Sequence, residues 1–164
     1  MRAPGRIVVT ASEAHRIAGR LNPDTIGAAF RYNPLTGQRQ YGRTKLLNIL
    51  FTQELARRLA RTGITVNCFC PGLPDTGVAA DSRTGRLITS AGARIRIVRP
   101  ARHGARLGTR LVCDPELVNV SGEFFTATPG MRFLPRPRAL RDTSLRTRAW
   151  ERSCELVGVG TVAR

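Results

Sequence analysis

Tyr41-Gly42-Arg43-Thr44-Lys45-Leu46-Leu47-Asn48-Ile49-Leu50-Phe51-Thr52-Gln53-Glu54-Leu55-Ala56-Arg57-Arg58-Leu59, followed after Thr62-Gly63 by Ile64-Thr65-Val66-Asn67-Cys68-Phe69-Cys70, decides how this chain is built. In the first stretch Leu46, Leu47, Ile49, Leu50, Leu55 and Leu59 recur at three- and four-residue steps, as on a helix with one apolar side. The pattern predicts a helix from about Tyr41 to Arg61, stopped by Thr62-Gly63. The second stretch is short, rich in β-branched residues and closed by Pro71-Gly72, which reads as a buried strand. Upstream, Arg6-Ile7-Val8-Val9-Thr10-Ala11 behind Pro4-Gly5 reads as another fully buried strand. Strand, helix and strand in this order make a βαβ unit, whose right-handed crossover sets the two strands parallel. The fold class is therefore α/β.

Outward from that unit the signals are shorter. Residues Glu13 to Gln40 read as a long loop, with turn signals at Asn22-Pro23-Asp24, Asn33-Pro34 and Thr36-Gly37. Beyond Asp75, the Gly- and Arg-rich stretch to Arg99 reads as a mobile flap. Ala101 to Val112 reads as a helix with Leu107 and Leu111 on one side. Ser121-Gly122-Glu123-Phe124-Phe125 reads as a last short strand. Leu145 to Val157 reads as a terminal helix with Trp150, Cys154 and Val157 on one face. There is no internal repeat.

With 164 residues the chain makes one domain, residues 1–164, able to bury a real core. No apolar run reaches the roughly 18 residues a membrane span needs, and Ile7 to Thr10 is too short for a signal-peptide core. The expectation is a cytoplasmic protein that does not engage a membrane. The net charge of +16 raises nucleic-acid binding as a reading. Yet Lys45 is the only lysine, so 26 of the 27 basic residues are arginines, and they are scattered along the chain. Aromatic residues for base stacking make up only 5%. An arginine-biased genome accounts for this pattern, and no nucleic-acid partner is expected. Cys68 and Cys70, two apart on a strand, share a face as small core residues. With no histidine partnering them the expectation is no metal site.

Tyr41 and Lys45, four residues apart, lie on one face of the predicted helix. A phenol near its ordinary pKa of about 10 is a poor proton donor or acceptor at neutral pH. A neighbouring ammonium favours the phenolate, and the start of a helix would push the same way. Ser12 follows the first strand, so it stands at the carboxyl edge of a parallel sheet, where open α/β folds bind ligands. Pro71-Gly72 ends the second strand at the same edge. A hydroxyl, a phenol with its cation and a tight turn thus converge on one rim, and the sole lysine falls among them, where a compact ammonium and a guanidinium are not interchangeable.

These residues resemble the short-chain dehydrogenases/reductases (SDR), in particular their retinol-dehydrogenase-like branch. The resemblance rests on Arg6 to His15, Tyr41 to Leu59, Pro71-Gly72-Leu73-Pro74-Asp75-Thr76, Ser121 to Phe125 and Trp150 to Leu156. It implies the C-terminal, catalytic half of a Rossmann-type, doubly wound parallel-sheet SDR domain, with residues 77–99 as the substrate loop. It implies Tyr41 as general acid/base, Lys45 as its partner and Ser12 as the hydroxyl that holds the substrate oxygen. Tyr41, Lys45, Pro71, Gly72, Leu73 and Thr76 would line NAD or NADP, and the substrate would be an apolar alcohol, aldehyde or ketone. The family's Gly-x-x-x-Gly-x-Gly turn, whose helix amides bind pyrophosphate, has no counterpart in this sequence. The expectation is a chain lacking the N-terminal cofactor half, partnered by a complementing half or by copies of itself. Two alternatives accompany the NAD(P)-dependent oxidoreductase: a non-catalytic truncated form that needs another chain to fold or act, and a basic nucleic-acid binder.

Overall fold

The computed structural model describes residues 4–74, 98–99 and 101–160. Its strands are β1 (Gly5–Thr10), β2 (Ile64–Cys70), β3 (Leu73–Pro74), β4 (Val98–Arg99) and β5 (Phe124–Thr126). Its α-helices are α1 (Pro34–Arg58), α2 (Ala101–Cys113) and α3 (Thr143–Leu156). Among the described residues β1, β2 and β5 form one parallel sheet in the order β1-β2-β5. Gly5 pairs with Ile64 and Thr10 with Phe69, so β1 and β2 end together at one rim. The predicted βαβ unit and the parallel α/β fold are both present.

Helix α1 begins seven residues before the expected start. Asn33-Pro34, read from sequence as a turn, is its N-terminus. Asn33 Oδ1 accepts from the Thr36 amide at 2.9 Å, and Thr36 Oγ1 accepts from the Asn33 amide at 2.8 Å. This reciprocal capping box, with Pro34 at the first helical position, satisfies donors that would otherwise be orphaned. The polar, glycine-interrupted residues before Tyr41 hide the start from any search for apolar periodicity. The loop is correspondingly shorter, and it contains two 3-10 segments, Glu13–Ile17 and Pro23–Thr25.

The core lies between the sheet and α1. Leu46, Ile49 and Leu50 pack with Ala11, Ala18, Leu21, Cys68, Leu140 and Ala149. Cys68 faces this side, while the neighbouring Phe69 ring meets α2 at Gly108, so the two helices cover opposite faces of the sheet. Central β2 is buried at Val66, Asn67, Cys68 and Cys70. Strand β1 departs from expectation. Its residues Gly5 to Val9 are half-buried and Thr10 is exposed, because among the described residues β1 has a strand neighbour on one side only.

Three further boundaries move. β5 starts at Phe124, not Ser121. Gly122, at φ 84°, turns the chain beforehand, and Ser121 instead offers its Oγ to the Val66 amide. The buried Asn67 stitches this turn, donating to the Val120 carbonyl at 2.6 Å and accepting from the Glu123 amide at 3.1 Å. α3 stops at Leu156, so Val157 lies outside it and is exposed, while Trp150 and Cys154 are half-buried. α2 matches its predicted span closely, with Leu111 buried. The predicted flap falls mostly on residues 75–97, which lie outside the described residues, although β4 at its end pairs with β3.

Glu54 ties α3 to α1. Its side chain is fully buried and bonds Arg57, Arg58 and Arg146 at 2.7–3.1 Å. Burial pushes the carboxyl pKa up, but the Arg57 and Arg58 hydrogen bonds and charges outweigh it and hold it below the usual range. Beside this cluster Trp150 stacks on Phe51, and the Arg58 guanidinium lies over the Trp150 ring, 4.7 Å from its centre.

Candidate active site

The candidate residues gather at the rim where β1 and β2 end. Because α1 begins at Pro34, Tyr41 lies two turns inside the helix. The positive end of a helix acts mainly within the first turn. The expected help to the phenol from the helix start is therefore removed, and Lys45 is its cationic neighbour. The Lys45 Nζ is 5.5 Å from the centre of the Tyr41 ring. Tyr41 is 47% exposed, so its side chain reaches the surface of the rim.

Lys45 also reaches the strand end, its Nζ donating to the Thr10 carbonyl at 3.4 Å. Asn48, one turn further on, donates its side-chain amide to the same oxygen at 3.1 Å. Ser12 follows two residues later and caps the Glu13–Ile17 turn, its Oγ accepting from the Ala14 amide at 3.2 Å. Accepting there leaves the serine's own O–H free to donate elsewhere. His15 is buried below, with Nδ1 donating to the Ser12 carbonyl at 2.7 Å and its ring edge-on to Phe124 at 5.0 Å. Burial holds the His15 pKa below the usual imidazole value.

Gly42 brings the serine turn to the tyrosine helix. A Cβ there would lie 2.6 Å from the Ala14 carbonyl oxygen, closer than real Cβ contacts. The missing side chain lets the Ser12 segment lie flush against α1 beside Tyr41.

Pro71 and Gly72 continue from β2 at the same rim, since Phe69 pairs with Thr10. Gly72 has φ 89°, and a Cβ there would meet nothing nearer than 3.8 Å, leaving the backbone approachable. Gly104 of α2 supports the turn from below, where a Cβ would come within 2.6 Å of Pro71. Leu73 opens β3. Thr76 lies outside the described residues. The structure thus brings Ser12, Tyr41, Lys45, Pro71 and Gly72 to one edge. Asn48 and His15 join this edge without belonging to the set expected from sequence. Asn48 was legible there, standing three residues after Lys45 on the same helical face, whereas nothing local marks His15 as buried beneath the serine.

This donor set suits one end of a nicotinamide dinucleotide. Lys45 has ammonium hydrogens to spare, Tyr41 stands exposed at the rim, and the Gly72 turn admits a planar group close to its backbone. It does not suit the diphosphate, for which the sequence holds no Gly-x-x-x-Gly-x-Gly turn.

The family model for short chain dehydrogenases matches residues 26–87, the stretch that carries α1 and β2. Mouse (Mus musculus) retinol dehydrogenase 14 is 32% identical over 159 residues, covering 96% of this chain and 46% of that protein. The chain is similar to short-chain dehydrogenases of the retinol-dehydrogenase type over nearly all of its length. Human (Homo sapiens) retinol dehydrogenase 13 is 33% identical over 162 residues, covering 96% of this chain and 47% of that one. The chain therefore spans about half the length of the curated relatives it matches. Among solved structures, an uncharacterised protein from Mycobacterium paratuberculosis superposes with TM-score 0.66 at 24% identity, over 97% of this chain and 52% of that one. An actinorhodin polyketide ketoreductase, solved with NADPH, superposes with TM-score 0.52 at 22% identity, over 77% of this chain and 47% of that one. Both likenesses concern the fold, a partial Rossmann-type domain. Among the described residues no helix is long and apolar enough to cross a membrane.

Proposed function

We propose that the rim formed by Ser12, Tyr41 and Lys45 interconverts an apolar alcohol and its aldehyde or ketone with NAD or NADP. The observation that carries this reading is the Lys45 ammonium 5.5 Å from the Tyr41 ring at the carboxyl end of a parallel sheet. The dinucleotide, held by Tyr41, Lys45, Pro71, Gly72, Leu73 and Thr76, would supply hydride exchange. The chain's own residues do the rest. Tyr41 gives a proton from its hydroxyl to the substrate oxygen, or takes one from it, and Lys45 stabilises the phenolate left behind. Ser12 donates its free O–H to the same oxygen and steadies the developing charge. The four cysteines are free thiols, which suits the reducing cytoplasm proposed as its setting.

A second reading is favoured by β1, whose outer edge has no strand partner among the described residues. An open edge of a parallel sheet is a template for another strand. In this reading the chain acts only when a dinucleotide-binding half, or another copy, pairs there.

Reduction of an apolar aldehyde, followed as loss of NADH or NADPH absorbance, tests both readings. Tyr41→Phe is expected to lower turnover by about 10²–10⁴-fold, the scale of a positioned general acid. Turnover indifferent to that change would overturn the first reading. The second expects the chain alone to bind dinucleotide weaker than micromolar and to turn over only after pairing. Micromolar binding by the isolated chain overturns it, and a Tyr41-independent or inactive pair sinks the first.

A further inference from the structure

The Thr10 carbonyl at the end of β1 receives two side chains from α1, and their order is inverted. Asn48 Nδ2 stands at 3.1 Å, an ordinary amide distance, whereas Lys45 Nζ stands at 3.4 Å, near the long limit. Bonds from an ionised donor are normally the shorter ones. The neutral amide therefore holds the near position, and the ammonium is kept back. Tyr41, Lys45 and Asn48 fall at positions i, i+4 and i+7, one stripe of α1, so the three groups compete along a single line. An ammonium carries three hydrogens, and one long contact to Thr10 leaves it largely uncommitted.

We infer that Asn48 is a positioning residue: by occupying the Thr10 carbonyl, it keeps the Lys45 ammonium beside Tyr41 and available to a ligand at the rim. Without that amide, Lys45 becomes the sole α1 donor in reach of Thr10, closes on the carbonyl and withdraws from the phenol. The identity of the ligand rests on the dehydrogenase reading, but the competition between Asn48 and Lys45 does not.

Lys45 is the only lysine in the chain, so selective ¹⁵N-lysine labelling gives a single side-chain ammonium signal. Asn48→Leu is expected to slow proton exchange of that ammonium by about threefold or more, the scale of one net hydrogen bond. Asn48→Ala repeats the test should the larger apolar side chain disturb folding, and Asn48→Gln is expected to return exchange towards the native rate. A merely structural role for Asn48 would lower the melting temperature and leave the ammonium signal unmoved. Unchanged exchange in both the Leu and Ala variants overturns the inference. Where turnover is measurable, Asn48→Leu should raise KM for the dinucleotide more than it lowers kcat. Absence of turnover would count against the dehydrogenase reading while the lysine signal still decides the role of Asn48. Turnover with an unmoved signal would do the reverse.

Discussion

Gly42 and Ala14 are in such close contact that a single methyl group cannot be placed between them: a Cβ on Gly42 would sit 2.6 Å from the Ala14 carbonyl oxygen. The obstacle is backbone, which cannot rotate aside as a long side chain could. Gly42→Ala is therefore expected to push the Glu13–Ile17 turn off α1 and carry Ser12 away from Tyr41. The cost is about 1–3 kcal/mol of stability, as for other overpacked sites. Thermal melting reads that loss. Activity falling further than the population of folded protein would show that the Ser12–Tyr41 spacing matters in itself.

Glu54 gives a second prediction, at the seam between α1 and α3. Its carboxylate is fully buried, whereas its arginine partners reach solvent. Arg146→Ala leaves Glu54 with two partners on its own helix and is expected to cost about 1–2 kcal/mol, the scale of one charge-assisted bond. Glu54→Ala removes the junction and is expected to cost more, about 3 kcal/mol, near the lower end for broken buried pairs. Chemical denaturation measures both. Because the Glu54 pKa is held below its usual value, its contribution is complete above about pH 4.5 and is lost as pH falls through the lowered folded value.

The buried His15 predicts a pH dependence in a higher window. Burial holds its folded pKa below the usual imidazole value of 6.5, so the unfolded chain binds the proton more readily. Stability should therefore fall as pH drops below about 6.5 and level off once the folded-state value is passed. The Nδ1–H bond to the Ser12 carbonyl forms with neutral imidazole, so the native contact survives at high pH. His15→Asn should flatten that part of the stability–pH curve. An unchanged slope between pH 5 and 7 would show that another group is responsible.

The cysteines should react unequally. Burial pushes the Cys68 thiol up to about 12, with a hydrogen bond from Thr52 opposing the rise. Little Cys68 thiolate is present at pH 8, and an alkylating reagent has no access to it. Cys113 is exposed. Mass-mapped iodoacetamide labelling of the folded protein should modify Cys113 first and Cys68 only on unfolding. Rapid native labelling of Cys68 would contradict the core described above.

The elements that sequence revealed are those whose signal is local. β2 is seven residues of mostly β-branched and apolar side chains, and its predicted span is the observed one. The apolar stripe of α1 likewise marks Leu46, Ile49 and Leu50 as core. The first two turns of α1 were hidden because Leu35 among them is 84% exposed, so they contain no buried stripe to detect. Only the capping chemistry of Asn33 and Thr36 announces them. Edge position in a sheet is likewise invisible in the local sequence, since Ile7-Val8-Val9 reads the same in a central or an outer strand. At the rim, Tyr41 and Lys45 were legible through their four-residue spacing. The packing of Gly42 on Ala14 and the shared Thr10 carbonyl belong to tertiary structure.

The register of β1 also governs how this molecule acquires its shape. Gly5 finds its partner at Ile64, and parallel pairing of this kind cannot begin from a tight turn between adjacent segments. The entropy of closing the whole connection between them must be paid as the first rung of the ladder forms. Helices form in about a microsecond, whereas contacts so distant along a chain form late and slowly. On dilution from denaturant, helical circular dichroism should therefore return well before protection of the β1 amides. Until then both edges of the strand that leads to Ser12, not the outer one alone, remain available to any other extended chain it meets.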